Sequence, residues 1–445
     1  MEHKSKDIME KEMNIEIVGL ASTGKGIATI KENSFSLPVF IDYSCPGDTL
    51  LVQITKNEKK YYEADIKEII HKSPFRIEAP CKHYQICGAC NLLHISYEKQ
   101  LEEKKKILLF LFQRNNIPLP EITMIPCKKE YNYRDKARFS LRIEKGKGCC
   151  GFMKRRSKEL IKIEECFIVN KKILQLIHLF NAMEFDPSIT AQVEITASED
   201  MIDGKLVLFA ETTSLSYLLS NAIEQLLEKH KELIKGLNMK IKDKTKRTGD
   251  YICRYKYKDI EYHFLPETFT QGNFSLNNQL IDTVLSYCGK GKNLLELYAG
   301  FGNFSLALAK QFEKVVAVEG EFKCVHFGNE NRERNNLKNV FFVNKDVNHY
   351  FKGKIDDYDC VLLDPPRDGC KPTLLQKINI VTNTVVYVSC NAATLITDVK
   401  QFVRNGFAIT EICLIDMFAQ TNYFEVVIKM ERRKENEEEK EEVKD

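Results

Sequence analysis

The sequence predicts a multidomain protein: an N-terminal OB-like β-barrel, a central α+β domain and a C-terminal α/β domain with a Rossmann-like sheet. A chain of 445 residues is too long for one ordinary domain. Five short alternating runs near the N-terminus, punctuated by Gly24, Gly26, Pro46 and Gly47, predict the barrel. From about Phe274, wholly apolar strands alternate with helices, which is typical of a parallel sheet buried on both faces.

The predicted boundaries follow changes of pattern along the chain. Residues 1–74 contain a charged lead and the barrel, which is of the oligonucleotide-binding kind. Residues 75–265 contain a cysteine-rich stretch, a helix from about Tyr97 to Asn115, and then strands mixed with helices. Residues 266–430 contain the α/β domain. Residues 431–445 carry eight acidic and five basic side chains, so we expect a disordered or solvated tail.

Local charge is more informative than the formal net charge of +3. Residues 131–163 carry eleven Lys or Arg against three acidic residues, interleaved with aromatic side chains. That composition is typical of a surface that binds RNA, although a solvated charged face explains the charge equally well. The N-terminus is charged where a signal peptide would be apolar, and no apolar run reaches membrane-spanning length. We therefore expect a soluble, cytoplasmic protein without membrane contact, acting as a monomer.

A cofactor site is predicted at the carboxyl end of the first strands of the α/β domain. The run NLLELYAGFGNFSLALAK is a strand, a glycine turn at Gly300 and Gly302, and a helix start. Acidic residues follow the next three strands, at Glu319, Asp346 and Asp364. This ordered set is how nucleoside–methionine cofactors are commonly held, and it predicts S-adenosylmethionine. The alternative is that these residues are ordinary caps of strand ends.

The reaction is indicated by the motif that contains Asp364. In enzymes that methylate exocyclic amino groups, an aromatic residue follows DPP and clamps the flipped base. Here Arg367 follows, which argues for a different target atom.

Methylation of carbon 5 of a pyrimidine needs a thiolate that adds to carbon 6 and a base that removes the carbon 5 proton. Cys390 stands at the end of the apolar strand TVVYVSC, and Glu425 begins the last strand. Each has a plain structural alternative, an inert core thiol and a surface carboxylate. Because the two residues fill both roles of one mechanism, the catalytic interpretation is favoured.

A second cluster of cysteines is a candidate metal site. Cys81, Cys87 and Cys90 have the spacing C-x5-C-x2-C, with Cys166 as a distant fourth ligand. Four thiolates suit zinc or an iron–sulfur cluster, and the irregular spacing favours iron–sulfur. The pair Cys149 and Cys150 is a competing source of the fourth ligand.

These segments together resemble the bacterial 23S ribosomal RNA (uracil-5-)-methyltransferases over about residues 14–430. The N-terminal strands are similar to a TRAM domain, a small RNA-binding barrel. PCKHYQICGACNLLHISYEKQL resembles the iron–sulfur motif of that family. FTQGN, LELYAGFGNFSLALA, LLDPPRDG, VYVSCNAATLITD and MFAQTNYFEVV resemble its catalytic motifs.

The resemblance implies specific partners and residue roles. It implies a [4Fe–4S] cluster on Cys81, Cys87, Cys90 and Cys166, Cys390 as nucleophile and Glu425 as base. It implies that a flipped uracil of 23S rRNA is held by Phe269, Gln271 and Asp364. It implies cofactor contacts at Gln271, Tyr298, Asn303, Glu319, Asp346 and Asp364. Two departures, Ala89 in the cysteine motif and Asp368 after DPPR, remove no functional side chain.

Three alternatives differ in the RNA or in the activity. tRNA uracil-5-methyltransferases share the catalytic motifs but generally lack the TRAM domain and the cysteines, so both features favour rRNA. Within 23S rRNA, the TRAM domain favours the uridine conventionally numbered 1939 over another uridine of the same molecule. A non-catalytic RNA-binding iron–sulfur protein would lack Cys390, Glu425 or the glycine turn, and all are present.

Overall fold

The computed structural model describes residues 11–32, 35–214, 217–351 and 356–433. The end of the predicted tail, residues 434–445, lies outside this range. The first sheet has six strands: β1 (Glu12–Glu16), β2 (Gly19–Leu20), β3 (Gly26–Glu32), β4 (Phe35–Ile41), β5 (Thr49–Glu58) and β6 (Tyr61–His71).

The strand order of this sheet is β1-β5-β6-β4-β3-β2. β1 and β2 are consecutive in the chain yet stand at opposite ends of the order, so the first segment brings the two edges together in a barrel-like form. The run IEIVGL, residues 15–20, which is the first of the five predicted strands, is therefore divided between β1 and β2. The reason is that Ile17 donates its N–H to the carbonyl of Asp48 on one side, whereas Val18 donates to the carbonyl of Ile27 on the other. The small core is apolar, with Val39 and Val52 fully buried.

The central region is built on a seven-stranded sheet of order β10-β9-β8-β11-β12-β13-β14. Two amphipathic helices cover it, with their buried residues at helical spacing. The elements from the cysteine-rich stretch onward are α1 (Tyr97–Arg114), β7 (Ile122–Ile125), β8 (Lys136–Glu144), β9 (Lys147–Met153), β10 (Leu160–Lys162), α2 (Lys171–Ala182), β11 (Ala191–Glu199), β12 (Leu206–Thr212), α3 (Tyr217–Lys229), β13 (Ile234–Ile241) and β14 (Lys244–Gly249).

A two-stranded hairpin, β15 (Cys253–Tyr257) and β16 (Ile260–Phe264), leads into the last region. That region contains α4 (Phe274–Cys288), β17 (Gly291–Leu297), α5 (Ser305–Leu308), β18 (Phe312–Glu319), α6 (Phe322–Arg334), β19 (Val340–Asn344), β20 (Cys360–Leu363), α7 (Pro372–Val381), β21 (Thr384–Ser389), α8 (Ala392–Arg404), β22 (Phe407–Ile415) and β23 (Glu425–Arg432). A short 3₁₀ helix, Val347–His349, follows β19.

The large sheet of this region has the order β19-β18-β17-β20-β21-β23-β22-β7. Strands β17 to β21 are parallel, and β23 runs antiparallel to both of its neighbours. The chain reverses its direction of travel across the sheet between β17 and β20, which is where open α/β sheets bind ligands. The predicted Rossmann-like domain is confirmed.

The predicted central and C-terminal domains share one strand. β7, which belongs to the predicted central domain, pairs in parallel with β22 at the edge of the C-terminal sheet. Helix α1 begins and ends close to the predicted limits. It is tied to the segment after β22 by Lys104, whose ammonium lies 2.5 Å from the carboxylate of Asp416. No helix of the described residues is long and apolar enough to cross a membrane.

Candidate active site

The glycine turn lies at the carboxyl end of β17, at the switch point of the sheet. Tyr298, Gly300 and Gly302 have φ angles of +66°, +55° and +95°. A β-carbon on Gly302 would lie 2.7 Å from the ring of Phe342, so this position has no room for a side chain. The left-handed turn brings the backbone round the end of the strand toward β20.

One cavity collects most of the residues predicted to bind the cofactor and the base. Aromatic rings of β15, β16, α4 and the glycine turn form its walls, and Gln271 is buried there while the ring of Phe269 is 73% exposed. The predicted residues that line it are Phe269, Gln271, Tyr298, Gly300, Asn303 and Asp364.

The two remaining acidic residues lie differently. Glu319, at the end of β18, accepts the backbone N–H of Gly300 at 2.9 Å and that of Glu321 at 2.8 Å. It therefore braces the turn and does not line the cavity. Asp346 is exposed outside the cavity and accepts the backbone N–H of Asn348 at 2.8 Å. That hydrogen bond and the side-chain amide of Asn348 lower the pKa of Asp346.

Two polar groups of this cavity were missed in the sequence. Glu296, inside β17, is 1% exposed and accepts the hydroxyl of Ser305. Burial raises its pKa to about 8, so the carboxyl is protonated at neutral pH. Asn277 and Asn303 exchange amide hydrogen bonds of 2.9 and 3.1 Å. An acid within an otherwise apolar strand was the available signal for Glu296.

Cys390 follows β21 directly and is half-buried. The next residue, Asn391, caps α8 by accepting the N–H of Ala393 at 3.1 Å, so the thiol sits at a strand-to-helix junction. Burial raises the pKa of the thiol to about 11, and the carboxylates of Glu425 and Asp364 contribute in the same direction. The guanidinium of Arg367 opposes them through its charge and a hydrogen bond.

Glu425 and Asp364 form an acidic pair at the same edge of the sheet. Glu425 is the first residue of β23 and is 3% exposed. Burial and the nearby charge of Asp364 raise the pKa of Glu425 well above its usual range, while Arg367 opposes this. Burial raises the pKa of Asp364 to about 7. The structure therefore brings a thiol, two carboxyls and one guanidinium together.

Helix α8 fixes the loop that carries Asp364 and Arg367. The carbonyl of Arg367 accepts the side-chain amide of Asn391 and the hydroxyl of Thr394, both at 3.0 Å. Further along the loop, the carboxylate of Asp398 accepts the N–H of Cys370 at 2.8 Å. Asp398 is 4% exposed and was not singled out in the sequence, where it looks like an ordinary helix residue.

Cys390 opens into a cleft formed by three parts of the chain. One wall consists of Arg367, residues 390–393 and residues 422–424, which include Tyr423. A second is Ser22 and Thr23 of the barrel. The third is the cysteine-rich segment 88–91 together with Arg155 of the central region. Beside this cleft, residues 153–158 form a second depression whose basic side chains are Lys154, Arg155, Arg156 and Lys158.

The four predicted cysteine ligands line one small cavity next to this cleft. Cys81, Cys87, Cys90 and Cys166 surround it, with His83, Tyr84, Phe152 and Phe167 among its other walls. All fifteen cysteines of the chain are free thiols. Burial raises the pKa of each of the four thiols.

The four cysteines share a cavity but are not arranged round a single metal position. Within the described ranges, no group of three or more His, Cys, Asp or Glu side chains is arranged to hold one metal ion. The competing ligands, Cys149 and Cys150, do not line the cavity, and Cys150 is fully buried in the core of the central region. Four thiols round a common space are a donor set that both zinc and iron–sulfur clusters use.

The fold and the cofactor cavity define an S-adenosylmethionine-dependent methyltransferase. The family model described as tRNA (uracil-5-)-methyltransferase matches residues 96–433. The chain belongs to this family of RNA uracil-5-methyltransferases.

Curated relatives extend the similarity to nearly the full chain. The 23S rRNA (uracil(1939)-C(5))-methyltransferase RlmD of Marinomonas sp. (strain MWYL1) is 30% identical over 426 residues, covering 94% of each chain. The protein of the same name from Legionella pneumophila (strain Lens) is 30% identical over 431 residues, covering 92% of this chain and 95% of its own.

A solved structure supports the fold. The tRNA (uracil-54, C5)-methyltransferase of Pyrococcus abyssi, in complex with S-adenosyl-L-homocysteine, superposes with a TM-score of 0.73 at 23% identity. The match covers 94% of this chain and 100% of that chain.

Proposed function

We propose that the chain methylates carbon 5 of a uridine in 23S rRNA, at position 1939, through a covalent adduct with Cys390. The observation that carries the proposal is the convergence of Cys390, Arg367, Glu425 and Asp364 beside the cofactor cavity. A nucleophile alone or a carboxylate alone would be ambiguous. Together they supply both groups that carbon 5 methylation requires. The rRNA target rests on the relatives that carry that activity in their names.

The first step is addition of the Cys390 thiolate to carbon 6 of the uracil. The S–C6 bond forms and the electron pair of the 5,6 double bond moves toward the carbonyl at carbon 4, giving an enolate with carbanion character at carbon 5. Arg367 favours the thiolate by its charge, whereas the two carboxyls disfavour it. Even with Arg367 present the pKa of the thiol is raised to about 11, and without this cation it would lie higher still, so Arg367 increases the thiolate fraction available for attack.

The second half of the reaction transfers the methyl group and restores the enzyme. S-adenosylmethionine, when bound, would supply an electrophilic methyl group: the bond from carbon 5 to the methyl carbon forms as the S–CH3 bond breaks, and S-adenosylhomocysteine is the leaving group. Glu425, when ionised, then removes the proton from carbon 5, and its raised pKa makes its carboxylate a stronger base than an ordinary glutamate. The C5=C6 double bond reforms as the S–C6 bond breaks, which releases 5-methyluridine and the Cys390 thiolate.

The cofactor fits the residues at the switch point. Gly300 has a φ of +55°, a conformation that disfavours any side chain, and, beyond its two chain neighbours, no atom of the described residues lies within 4 Å of the place where a β-carbon would stand. The backbone of the turn is therefore open to a ligand on this side. We assign Gln271, Tyr298, Asn303 and Asp364 to the cofactor, with Glu319 bracing the turn from behind. We also assign Asp346 to the cofactor; its carboxylate lies outside the cavity and accepts the backbone N–H of Asn348.

The RNA path follows the three-walled cleft. A uridine must leave its stack to reach Cys390. The exposed ring of Phe269, beside the buried Gln271 and near Asp364, offers a face on which a flipped base can stack. We propose that the barrel is a TRAM domain, and that the basic residues 154–158 neutralise phosphates on either side of the target.

The four-cysteine cavity is proposed to hold a [4Fe–4S] cluster. The support is that Cys81, Cys87, Cys90 and Cys166 enclose one space lined otherwise by aromatic and apolar side chains, with no disulfide competing for them. A bound cluster would need all four thiols deprotonated, and it would tie the cysteine-rich segment to the central region. We also expect the protein to act in the cytoplasm as a monomer.

The covalent step can be tested by replacing the nucleophile. Cys390→Ala should abolish methyl transfer to rRNA from labelled S-adenosylmethionine while cofactor binding, measured by titration calorimetry, is retained. Cys149→Ala, which removes another half-buried thiol away from the site, is the matched control and should keep full activity. Turnover by Cys390→Ala close to that of the wild type would refute the adduct mechanism.

A further inference from the structure

Asn91 and Asn422 join the cysteine-rich segment to the loop that precedes Glu425. The side-chain amide of Asn91 donates to the side-chain carbonyl of Asn422 at 2.8 Å. In return, the backbone N–H of Asn422 donates to the side-chain carbonyl of Asn91 at 3.0 Å. The two hydrogen bonds close a ring between segments 331 positions apart in the chain.

The location of each partner makes this pair a connection between two sites. Asn91 directly follows Cys90, which lines the four-cysteine cavity. Asn422 stands three residues before Glu425 and directly before Tyr423, whose ring lies 4.9 Å from the guanidinium carbon of Arg367. A displacement of the cysteine-rich segment at Asn91 would therefore shift the loop that leads to Glu425.

The barrel closes over the same pair. The amide of Asn422 donates to the carbonyl of Ser22 at 2.7 Å, and that of Asn91 donates to the carbonyl of Thr23 at 3.2 Å. Gly24 has a φ of +79°, and a β-carbon there would lie 2.3 Å from the amide nitrogen of Asn91. A side chain at position 24 would therefore collide with Asn91. The barrel loop packs directly against the two amides and accepts a hydrogen bond from each of them.

The rest of the loop is held from the opposite side. The backbone N–H of Leu92 donates to the carbonyl of Gln420 at 3.1 Å, and Gln420 exchanges side-chain and backbone hydrogen bonds with Gln100 of α1. Gln420 is 1% exposed and has a φ of +69°. These contacts fix the middle of the loop between β22 and β23, residues 416–424, and the side chain of Asn91 holds the loop near its end, at Asn422.

We infer that Asn91 and Asn422 are positioning residues that hold the general base Glu425 in register with carbon 5 of the uracil, linking the four-cysteine cavity to proton removal. This inference rests on the proposed function. It predicts a specific defect. When the pair is lost, Cys390 still adds to the base and methylation still occurs, but proton removal and release of the adduct are slowed.

The test separates adduct formation from adduct release. Cluster-containing wild type, Asn91→Ala, Asn422→Ala and the double variant are each mixed with S-adenosylmethionine and an rRNA fragment carrying the target uridine. The same fragment with 5-fluorouridine at that position cannot lose a proton from carbon 5, so its adduct reports only on addition and methyl transfer. Asn115→Ala is the matched control, because its amide bonds only to Leu111 of its own helix.

The inference predicts that both single variants form the 5-fluorouridine adduct within about two-fold of the wild-type rate. With natural RNA they should release product about ten-fold more slowly and accumulate a covalent band on a denaturing gel. The double variant should match Asn91→Ala, because the side chain of Asn91 takes part in both hydrogen bonds of the pair, whereas Asn422→Ala keeps the one that its backbone N–H donates. Asn115→Ala should behave as wild type.

Each of the following results would overturn the inference. Release at the wild-type rate would show that the pair does not position the base. A parallel loss of 5-fluorouridine adduct, or a higher KM for RNA with unchanged release, would make the pair an RNA contact or a general support. Additive effects in the double variant would show that the two side chains act independently. Absence of the 5-fluorouridine adduct in the wild type itself would refute the proposed covalent function as well.

Discussion

The guanidinium of Arg367 lies within hydrogen-bonding reach of the Cys390 thiol and stacks over the ring of Tyr423. One cation thus lies beside the nucleophile in the same cleft and stacks on the loop that leads to Glu425. It is the attractive charge in a pocket where Glu425 and Asp364 both raise the pKa of the thiol. We therefore regard Arg367 as the residue that balances an acidic pocket around a nucleophilic sulfur.

Replacing Arg367 by Gln should slow the formation of the covalent adduct. The pKa of the Cys390 thiol would rise further above about 11, and the thiolate fraction at neutral pH would fall. We expect a loss of about ten-fold at pH 7.5, with the rate still climbing as the pH is raised. Rapid-quench measurement of the 5-fluorouridine adduct between pH 6.5 and 9 checks this.

Arg247→Gln provides the control for Arg367→Gln. Arg247 also stacks on a tyrosine, with 4.8 Å between its guanidinium carbon and the Tyr251 ring, but far from the site. It should leave the adduct rate unchanged. Equal rates for Arg367→Gln and wild type at every pH would contradict the role assigned to this cation.

Glu425→Gln should trap the reaction at the methylated adduct. The amide cannot remove the proton from carbon 5, so a stable protein–RNA band should appear on a denaturing gel. At pH values where Glu425 is ionised, its charge raises the pKa of the Cys390 thiol, so its removal should also speed adduct formation there. Glu411→Gln, an exposed carboxylate on the neighbouring strand, should show neither effect. If Glu425→Gln turns over normally, another group is the base.

Glu296 should make the protein less stable as the pH rises. Its pKa is about 8 in the folded protein against roughly 4.3 in an unfolded chain, so the unfolded state binds fewer protons between these values. Stability is fully present below the lower pKa and is lost progressively up to pH 8. Glu296→Gln keeps an acceptor for Ser305 and should remove this part of the pH dependence.

Urea unfolding midpoints at pH 6 and pH 8.5 measure the effect of Glu296. The wild type should lose more stability between the two pH values than Glu296→Gln does. An identical difference in both proteins would mean that Glu296 does not hold a proton in the folded state.

Removing any one of the four cavity cysteines should impair binding of the cluster. Anaerobically purified Cys81→Ser, Cys87→Ser, Cys90→Ser and Cys166→Ser should each contain less iron and show weaker visible absorbance than the wild type. Cys149→Ser should retain both, because its thiol does not line the cavity. Full iron content in the four variants, or loss only in Cys149→Ser, would reassign the ligands.

Much of the fold followed from local pattern. The buried strands of the large sheet were predicted because continuous apolar runs such as TVVYVSC have few other structures open to them. The pairing of β7 with β22 was not predictable, because Ile122–Ile125 is a short apolar run with no local sign of its distant partner. The split of the first barrel strand was hidden for the same reason, since it depends on contacts with Asp48 and Ile27.

The site was predictable where a residue follows a strand end and less so elsewhere. Cys390 and Asp364 stand at ends of neighbouring parallel strands, so their proximity follows from topology. The exposed position of Asp346 was not foreseen, because nothing in NVFFVNKD shows that Asn348 binds the carboxylate. The Asn91–Asn422 pair has no sequence signature, because asparagine is common in loops and the partners meet only in the folded chain.

The central claim is tested most directly by identifying the methylated nucleoside and its position. Cluster-containing protein is incubated with labelled S-adenosylmethionine and with separated 23S rRNA and tRNA that lack the modification. We predict label as 5-methyluridine in 23S rRNA, mapping to position 1939. Label in tRNA, at another uridine of 23S rRNA, or in neither RNA would contradict the proposed function.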